Sequence, residues 1–348
     1  MENVIKTRLQ SVQFAEAQIY RNIAIVPLIA PADGAFQYRT LGEALAALDI
    51  AITEVSTAGS VPDLLVVNRA NKAVLLVDGE ELAGAKQNRV LNSSILLKER
   101  SETTIPVSCT EQGRWSYASQ AFSESGNVMA YKSRSRKTRS VQRSLEASEG
   151  HKSDQGEVWH SIAELQVNAC APSPTSAMSD VYKAREADLR KCDEIFRPVA
   201  NQVGLLAFIG GAPVGADMLS LIGAYARLHP KLVRSYTLEG LLDSRPATPG
   251  SQPEDWTARA RQFLDEIAAT EERRFPSVGH GADFRYRSRS GPSTPDPLSG
   301  AAPVKPDQPA AAADPAHARL SGSATICGAA LVHENEVIHA AFFRLDDP

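Results

Sequence analysis

Apolar residues in the first third of the chain fall in short runs bounded by polar or turn-forming sequence, the pattern of strands buried in a folded body. Ile23 to Val26 is one such run, stopping at Pro27, and Ile52 to Val55, Leu64 to Val67 and Val74 to Val77 are others. Asn68 to Lys72 carries turn chemistry between the last two, which are therefore expected to pair as a hairpin. Two further strands are expected at Val90 to Leu97 and Thr103 to Ser108, joined by the charged turn Lys98 to Glu102. Within this β-rich stretch, Leu41, Leu45 and Leu48 recur at helical spacing and predict a short amphipathic helix over Thr40 to Leu48.

The period then lengthens. Val158, Ile162 and Leu165 mark a helix from Gln155 onward. Met178, Val181, Tyr182, Leu189 and Phe196 mark one longer helix over Ser176 to Phe196, limited by Pro198. Val203 to Ile209 reads as a strand, Gly210-Gly211 as a hairpin turn and Ala212 to Val214 as a short return. Asp217 is expected to cap the helix that follows, the alternative being a site carboxylate. Helical spacing returns from Trp256 to Ala268. The chain closes with strands at Ala324 to His333 and Val337 to Phe343 around Glu334-Asn335-Glu336. A lone hairpin is marginal in water, so this one must pack back onto the body.

Two stretches break the pattern. Ser116 to Ser153 is rich in serine and charge, and Lys132, Arg134, Arg136, Lys137, Arg139 and Arg143 cluster there. A solvated loop or exposed helix face is expected, with a phosphate-contacting patch as the alternative. Gly291 to Pro315 is dense in proline and alanine, without aromatic residues, and reads as a disordered insertion. The expected class is α+β: a β-rich N-terminal lobe with an antiparallel meander, packed against helices and a second, hairpin-containing lobe. The expected division is 1–118 for the first lobe, 119–154 for a basic linker, 155–290 for the helical lobe, 291–320 for the insertion and 321–348 for the closing hairpin.

Composition narrows the class of partner. With 43% hydrophobic residues, 22% charged residues and a net charge of −4, the chain can build a sizeable core and has no bulk attraction for nucleic acid or anionic lipid. The greasiest stretch, Val203 to Ala226, contains a Gly-Gly pair, Pro213 and Asp217, which argues against a membrane span. Cys109, Cys170, Cys192 and Cys327 form no C-x-x-C pair, a usage that suits a reducing, cytoplasmic setting.

The densest chemistry runs from Gly79 to Trp115. If Val90 to Leu97 and Thr103 to Ser108 pair antiparallel about Arg100, residue i meets a residue near about 200 − i. The turn from Asp78 to Arg89 then emerges at the same sheet end as Cys109 to Trp115. Glu80, Glu81, Glu111 and Cys109 are the catalytic candidates on this rim, and Lys86, Gln87, Asn88, Arg89, Asn92, Arg114 and Trp115 the ligand-binding candidates. Carboxylates serve as acid and base or hold a divalent cation such as Mg²⁺, guanidiniums grip phosphate, and an indole stacks. The alternatives are surface ion pairs and, for Cys109, a small core side chain.

The strings GEELAGAKQNRVLNSS (79–94) and PVSCTEQGRW (106–115) resemble the ARG and rhodanese-phosphatase-superfamily-associated protein domain family, where ARG abbreviates ADP-ribosylglycohydrolase. GLLAFIGGAPVGADM (204–218) and GAALVHENEVIHAAFF (328–343) look like later parts of it. The resemblance implies a role around ADP-ribose or NAD-derived metabolites. The expected function is a hydrolase acting on a phosphorylated, nucleotide-like small molecule, the alternatives being a non-catalytic module for such ligands or a structural protein. His339, which interrupts an apolar run, is a buried hydrogen-bonded histidine or a catalytic base. His333, Glu334 and Glu336 read as solvated turn residues rather than a metal site with it.

Overall fold

The computed structural model describes residues 4–245, 253–288 and 325–345; the Pro/Ala-rich insertion expected at 291–320 lies outside them. The architecture is α+β, with one large and two smaller sheets. The large sheet runs β1 (Gln13–Phe14), β3 (Ile23–Ile29), β13 (Gln202–Ile209), β14 (Ala212–Leu219), β18 (Glu336–Leu345), β17 (Thr325–His333), β16 (Ala282–Arg287) and β15 (Glu271–Pro276), with β2 (Gln18–Tyr20) also on β3. Residues near both ends of the sequence therefore share one sheet. The expected strand at 23–26 continues through Pro27, which falls in the gap between the β2 and β1 pairings. There its missing N–H interrupts neither ladder.

Period-two alternation buries both faces of this sheet. Ile23, Ile25, Leu205 and Phe343 join one core with Tyr225, Leu228, Leu232 and Tyr236 of helix α7 (Ile222–Leu242). Ala24, Val26, Leu28, Phe208 and Phe342 join another with α1 (Val4–Ser11) and α8 (Pro253–Ala268). The closing hairpin packs back as expected, β18 pairing with β14 and β17 with β16. Its turn places both Glu334 and Asn335 at positive φ, which matches the twist of the flanking strands.

The second sheet runs β12 (Phe122–Val128), β8 (Glu80–Gly84), β9 (Arg89–Leu91), β11 (Ser101–Cys109), β6 (Asp63–Asn68) and β5 (Ile50–Glu54); the third runs β10 (Ile95–Leu97), β7 (Ala73–Leu76) and β4 (Tyr38–Thr40). Helix α2 (Leu41–Ala46) starts with a capping box between Thr40 and Glu43. Several expectations are corrected here. The strands at 64–67 and 74–77 do not pair with each other. Asn68 binds the carbonyls of Lys72 (3.0 Å) and Lys98 (2.8 Å), a turn that sends β7 into a different sheet. The expected strand 90–97 is broken at Asn92–Ser94: its first half pairs with β11 and its second with β7. The β9–β11 register sums to 198 at Val107↔Leu91, two residues from the expected value, so the same side chains share a face. The expected turn 78–89 contains β8, hydrogen-bonded on both edges.

The largest correction concerns 116–153. It supplies β12 and a helix, α3 (Tyr131–Glu146), whose inward stripe is Tyr131, Arg134, Ser135, Thr138, Val141 and Leu145. Arg134 and Lys137 are fully buried rather than solvated. Hydropathy hid the stripe because half of it is polar. The expected helix 176–196 is two, α5 (Met178–Ala184) and α6 (Glu186–Ile195), parted at Arg185, while α4 (Gln155–Ala169) is as expected. Asp217 caps no helix. The return strand runs to Leu219 because it is sandwiched between β13 and β18, which puts Asp217 in mid-strand and delays α7 to Ile222. The Gly279-His280-Gly281 segment runs close against β10, with His280 N–H donating to Leu96 O at 2.7 Å.

Candidate functional site

Two polar assemblies grow from the β8–β11 region. The outer one is the rim. β8, β9 and β11 bring the two motif strings together, with Cys109 opposite Arg89 and Thr110 N–H donating to Asn88 O at 3.0 Å. Arg114 donates to Glu111 (2.6 Å), Asn88 Oδ1 (3.2 Å) and the carbonyls of Ala85 (2.7 Å), Ser116 (2.9 Å) and Gly84 (3.4 Å). All its reach is spent on holding the two loops together. Burial alone would raise the Glu111 carboxyl, but hydrogen bonds from Arg114, Thr175 and the Asn88 N–H hold it below the usual range. Glu111 is an anchored carboxylate.

Beside this brace stands a cation–aromatic group. Trp115 and Tyr117 keep about half their surface exposed, 48% and 47%. Lys86 Nζ lies 5.3 Å from the first ring and 5.2 Å from the second, and the Arg89 guanidinium 5.5 Å from Trp115. Loop 55–62 covers them. Lys86 Nζ donates to Ala58 O (2.6 Å), Arg89 Nη2 to Ser60 O (3.4 Å) and Tyr117 OH to Thr57 O (3.4 Å). Arg89 is fully buried, donates to Gln87 Oε1 at 2.9 Å and has Glu54 at 3.8 Å, yet its Nε and Glu54 Oε2 have no hydrogen-bond partner. Tyr117 and Glu54 were not candidates from the sequence. The first lies two residues beyond the motif and the second ends a distant strand.

The remaining candidates sit elsewhere. On β8, neighbouring side chains point to opposite faces. Glu81 accepts from Thr110 Oγ1 (2.8 Å), and burial raises its carboxyl against that bond. Glu80 turns away from the rim to Lys231 and to the Val77 N–H. Cys109 is buried; burial pushes its thiol up, against the pull of Arg89, so a nucleophilic thiolate is disfavoured. Asn92 belongs to the inner assembly, donating to His151 O (3.1 Å) and accepting from Ser108 Oγ (2.8 Å).

That inner assembly lies between the sheets. Arg134 grips Asp217 with two bonds, 2.8 and 3.0 Å, and its Nε stands 3.6 Å from Asp78. Lys137 binds Asp78 and the Asn92 carbonyl. Tyr236 OH donates to Asp217 at 2.6 Å, and His339 Nε2 lies 3.3 Å from the same carboxylate. Burial would raise Asp217, but Arg134 and His339 hold it well below the usual carboxylate range. Arg285 and His151 do the same for buried Asp283 (2.6 and 2.9 Å). Arg134 and Lys137, assigned from the sequence to a solvated cluster, thus neutralise buried carboxylates from distant strands. His333 lies apart from His339, against the His280 ring at 4.8 Å. Among the described residues no three His, Cys, Asp or Glu side chains are grouped to hold a metal ion, and no helix is long and apolar enough to cross a membrane.

No curated protein and no solved structure matches the chain. The family model described as "ARG and Rhodanese-Phosphatase-superfamily-associated Protein domain" matches residues 11–343, from the end of α1 into the last strand and across both polar assemblies. The chain belongs to that family.

Proposed function

We propose that this chain binds a phosphorylated, nucleotide-like metabolite at Lys86, Arg89, Trp115 and Tyr117. One observation carries the reading: three donors beside two half-exposed aromatic rings all end on backbone carbonyls of a single loop, 55–62. That loop is built mainly of small residues (Ser56, Thr57, Ala58, Gly59, Ser60) and fills the donors with neutral oxygens. Phosphate oxygens are stronger acceptors for a lysine and an arginine than carbonyls are. A ligand that lifts the loop exchanges three neutral contacts for charged ones and offers a base to the rings. The family description points toward ADP-ribose chemistry, which has both a diphosphate and a base.

Hydrolysis of that ligand is the second reading. Glu54 favours it: its Oε2 is buried without a partner next to Arg89, a position from which a carboxylate can take a proton from water. Calorimetry with ADP-ribose, ADP and inorganic pyrophosphate, in Mg²⁺ and in chelator, tests binding; a product assay on the same samples tests turnover. Lys86→Met and Trp115→Ala are each expected to weaken binding by about fivefold or more, since each removes roughly 1–3 kcal/mol of charge or stacking contact. Glu54→Gln is expected to abolish turnover and keep binding. Wild-type protein that binds none of the three more tightly than about 1 mM overturns the proposal.

A further inference from the structure

Another cleft, of about 920 Å³, lies between α1 and the closing hairpin, a size within the ordinary range of small-molecule sites. Its floor is the margin of the core shared by α1 and α8: Val4 and Phe284 pack partly buried against that core, and Val332 and Val337 of the hairpin belong to it. Two opposite charges line the cleft as well. Arg8, in the last turn of α1, donates to Leu219 O at 3.0 Å, and among the described residues no other acceptor and no carboxylate binds its guanidinium. Glu336, at the start of β18, accepts from the Ala35 and Phe36 N–H groups at 2.9 and 3.1 Å, both on Oε2, while its Oε1 is buried without a partner.

The two charges share one end of the cleft. Arg8 is tied to the carbonyl of Leu219, and Gly34 N–H donates to the carbonyl of the next residue, Ser220, at 2.9 Å. A Cβ on Gly34 would stand 1.7 Å from Glu336 Oε1 and 2.9 Å from Ser220 Cβ, so the carboxylate settles there only because that residue is glycine. Burial lowers the Arg8 guanidinium from its usual range and Glu336 pulls it back up, yet no ion pair joins them. A half-buried arginine with one neutral acceptor and a carboxylate short of one donor are each costly unless something bridges them.

We infer that this end of the cleft binds a small zwitterion, an α-amino acid with an aliphatic side chain, its carboxylate on Arg8, its ammonium toward Glu336 and its side chain over Val332 and Val337. A guanidinium without a counter-ion takes a carboxylate through two parallel N–H bonds. The remaining charges on the walls fix the choice of ligand. Glu272 accepts from Tyr286 OH at 2.8 Å, Arg274 lies over the Phe284 ring at 5.9 Å, and Glu334 stands at the exposed tip of the turn. A plain carboxylate would meet Arg8 but also the field of Glu272, Glu334 and Glu336, and a plain amine would meet Arg8 and Arg274. A zwitterion leaves neither of its charges facing its own sign.

The test is calorimetry on the full chain, with ligand-observed NMR for weak binding, using L-leucine, leucinamide, which lacks the carboxylate, and N-acetylleucine, which lacks the ammonium. Wild type is expected to bind leucine more tightly than about 1 mM, and each blocked form about tenfold or more weaker, the loss of one charge-assisted contact. Arg8→Met is expected to weaken leucine by about the same factor and to leave leucinamide unchanged. Glu336→Gln, which keeps an oxygen for the Ala35 and Phe36 N–H groups, is expected to weaken leucine and to leave N-acetylleucine unchanged. The comparison of ligands on wild type needs no variant, so it stands if Arg8→Met folds poorly. Wild type that binds leucine no more tightly than about 1 mM, or no more tightly than either blocked form, overturns the inference, as does an equal loss of all three ligands in folded Arg8→Met. None of these probes carries a phosphate or a base, so the outcome is independent of the rim.

Discussion

Replacing Arg134 by methionine separates a solvated basic helix from one whose charges sit in the core. Its guanidinium is fully buried, holds Asp217 by two bonds of 2.8 and 3.0 Å and stands 3.6 Å from Asp78. Methionine fills much of the volume but, among the described residues, leaves Asp217 with the Tyr236 hydroxyl and His339 Nε2 at 3.3 Å, and Asp78 with Lys137. Breaking a buried pair from one side costs about 3–5 kcal/mol, because the abandoned charge stays out of water. At about 2.1 cal/mol/K per residue, 348 residues give about 0.7 kcal/mol/K, hence a fall in Tm of about 4–7 °C. Differential scanning calorimetry with urea titration measures it. Arg143→Met, which loses only the exposed pair with Glu157, is the control and is expected to stay within about 1 kcal/mol. Arg134→Met combined with Asp217→Leu is expected to recover at least half of the loss, since removing both charges also removes the desolvation cost. A single-variant cost below about 1 kcal/mol would refute the buried-network argument.

Of the four cysteines only Cys170 is exposed, and burial pushes the Cys109 thiol up, so native protein is expected to titrate one thiol quickly with a disulfide reagent and four after denaturation. Rapid native modification of Cys109 would restore the nucleophile suggested by its position in the motif. Burial raises the Glu239 carboxyl from 4.5 to about 7, against the pull of Lys132. The folded chain therefore keeps this proton when the unfolded chain has lost it, and the stability contribution, greatest below pH 4.5, falls as pH rises to 7. Glu239→Gln is expected to flatten that decline by about 1–3 kcal/mol between pH 5 and 7.5; a variant whose stability tracks wild type over that range would show that Glu239 ionises freely in the folded chain.

Local pattern alone determined the elements whose burial is apolar. The strand from Ile23, the Val203–Ile209 strand with its Gly-Gly turn, the helices from Gln155 and Trp256 and the closing hairpin all follow from spacing, because one apolar face tells the period. Local pattern also brought the two motif strings together, since a short antiparallel connection leaves few places for them to go. Only the tertiary structure decided the rest. Arg134 lies in the core-facing stripe of α3, and its charge is admissible there because carboxylates arrive from β14 and the β7–β8 turn. Asp217 reads as a cap in sequence and is a mid-strand anion in space, because β18, more than a hundred residues later, extends the ladder past it. Likewise Ser94 and His339 are 245 residues apart and meet across two sheets. Hydropathy reports how each segment meets water; where a charge meets its counter-charge is a property of the assembled fold.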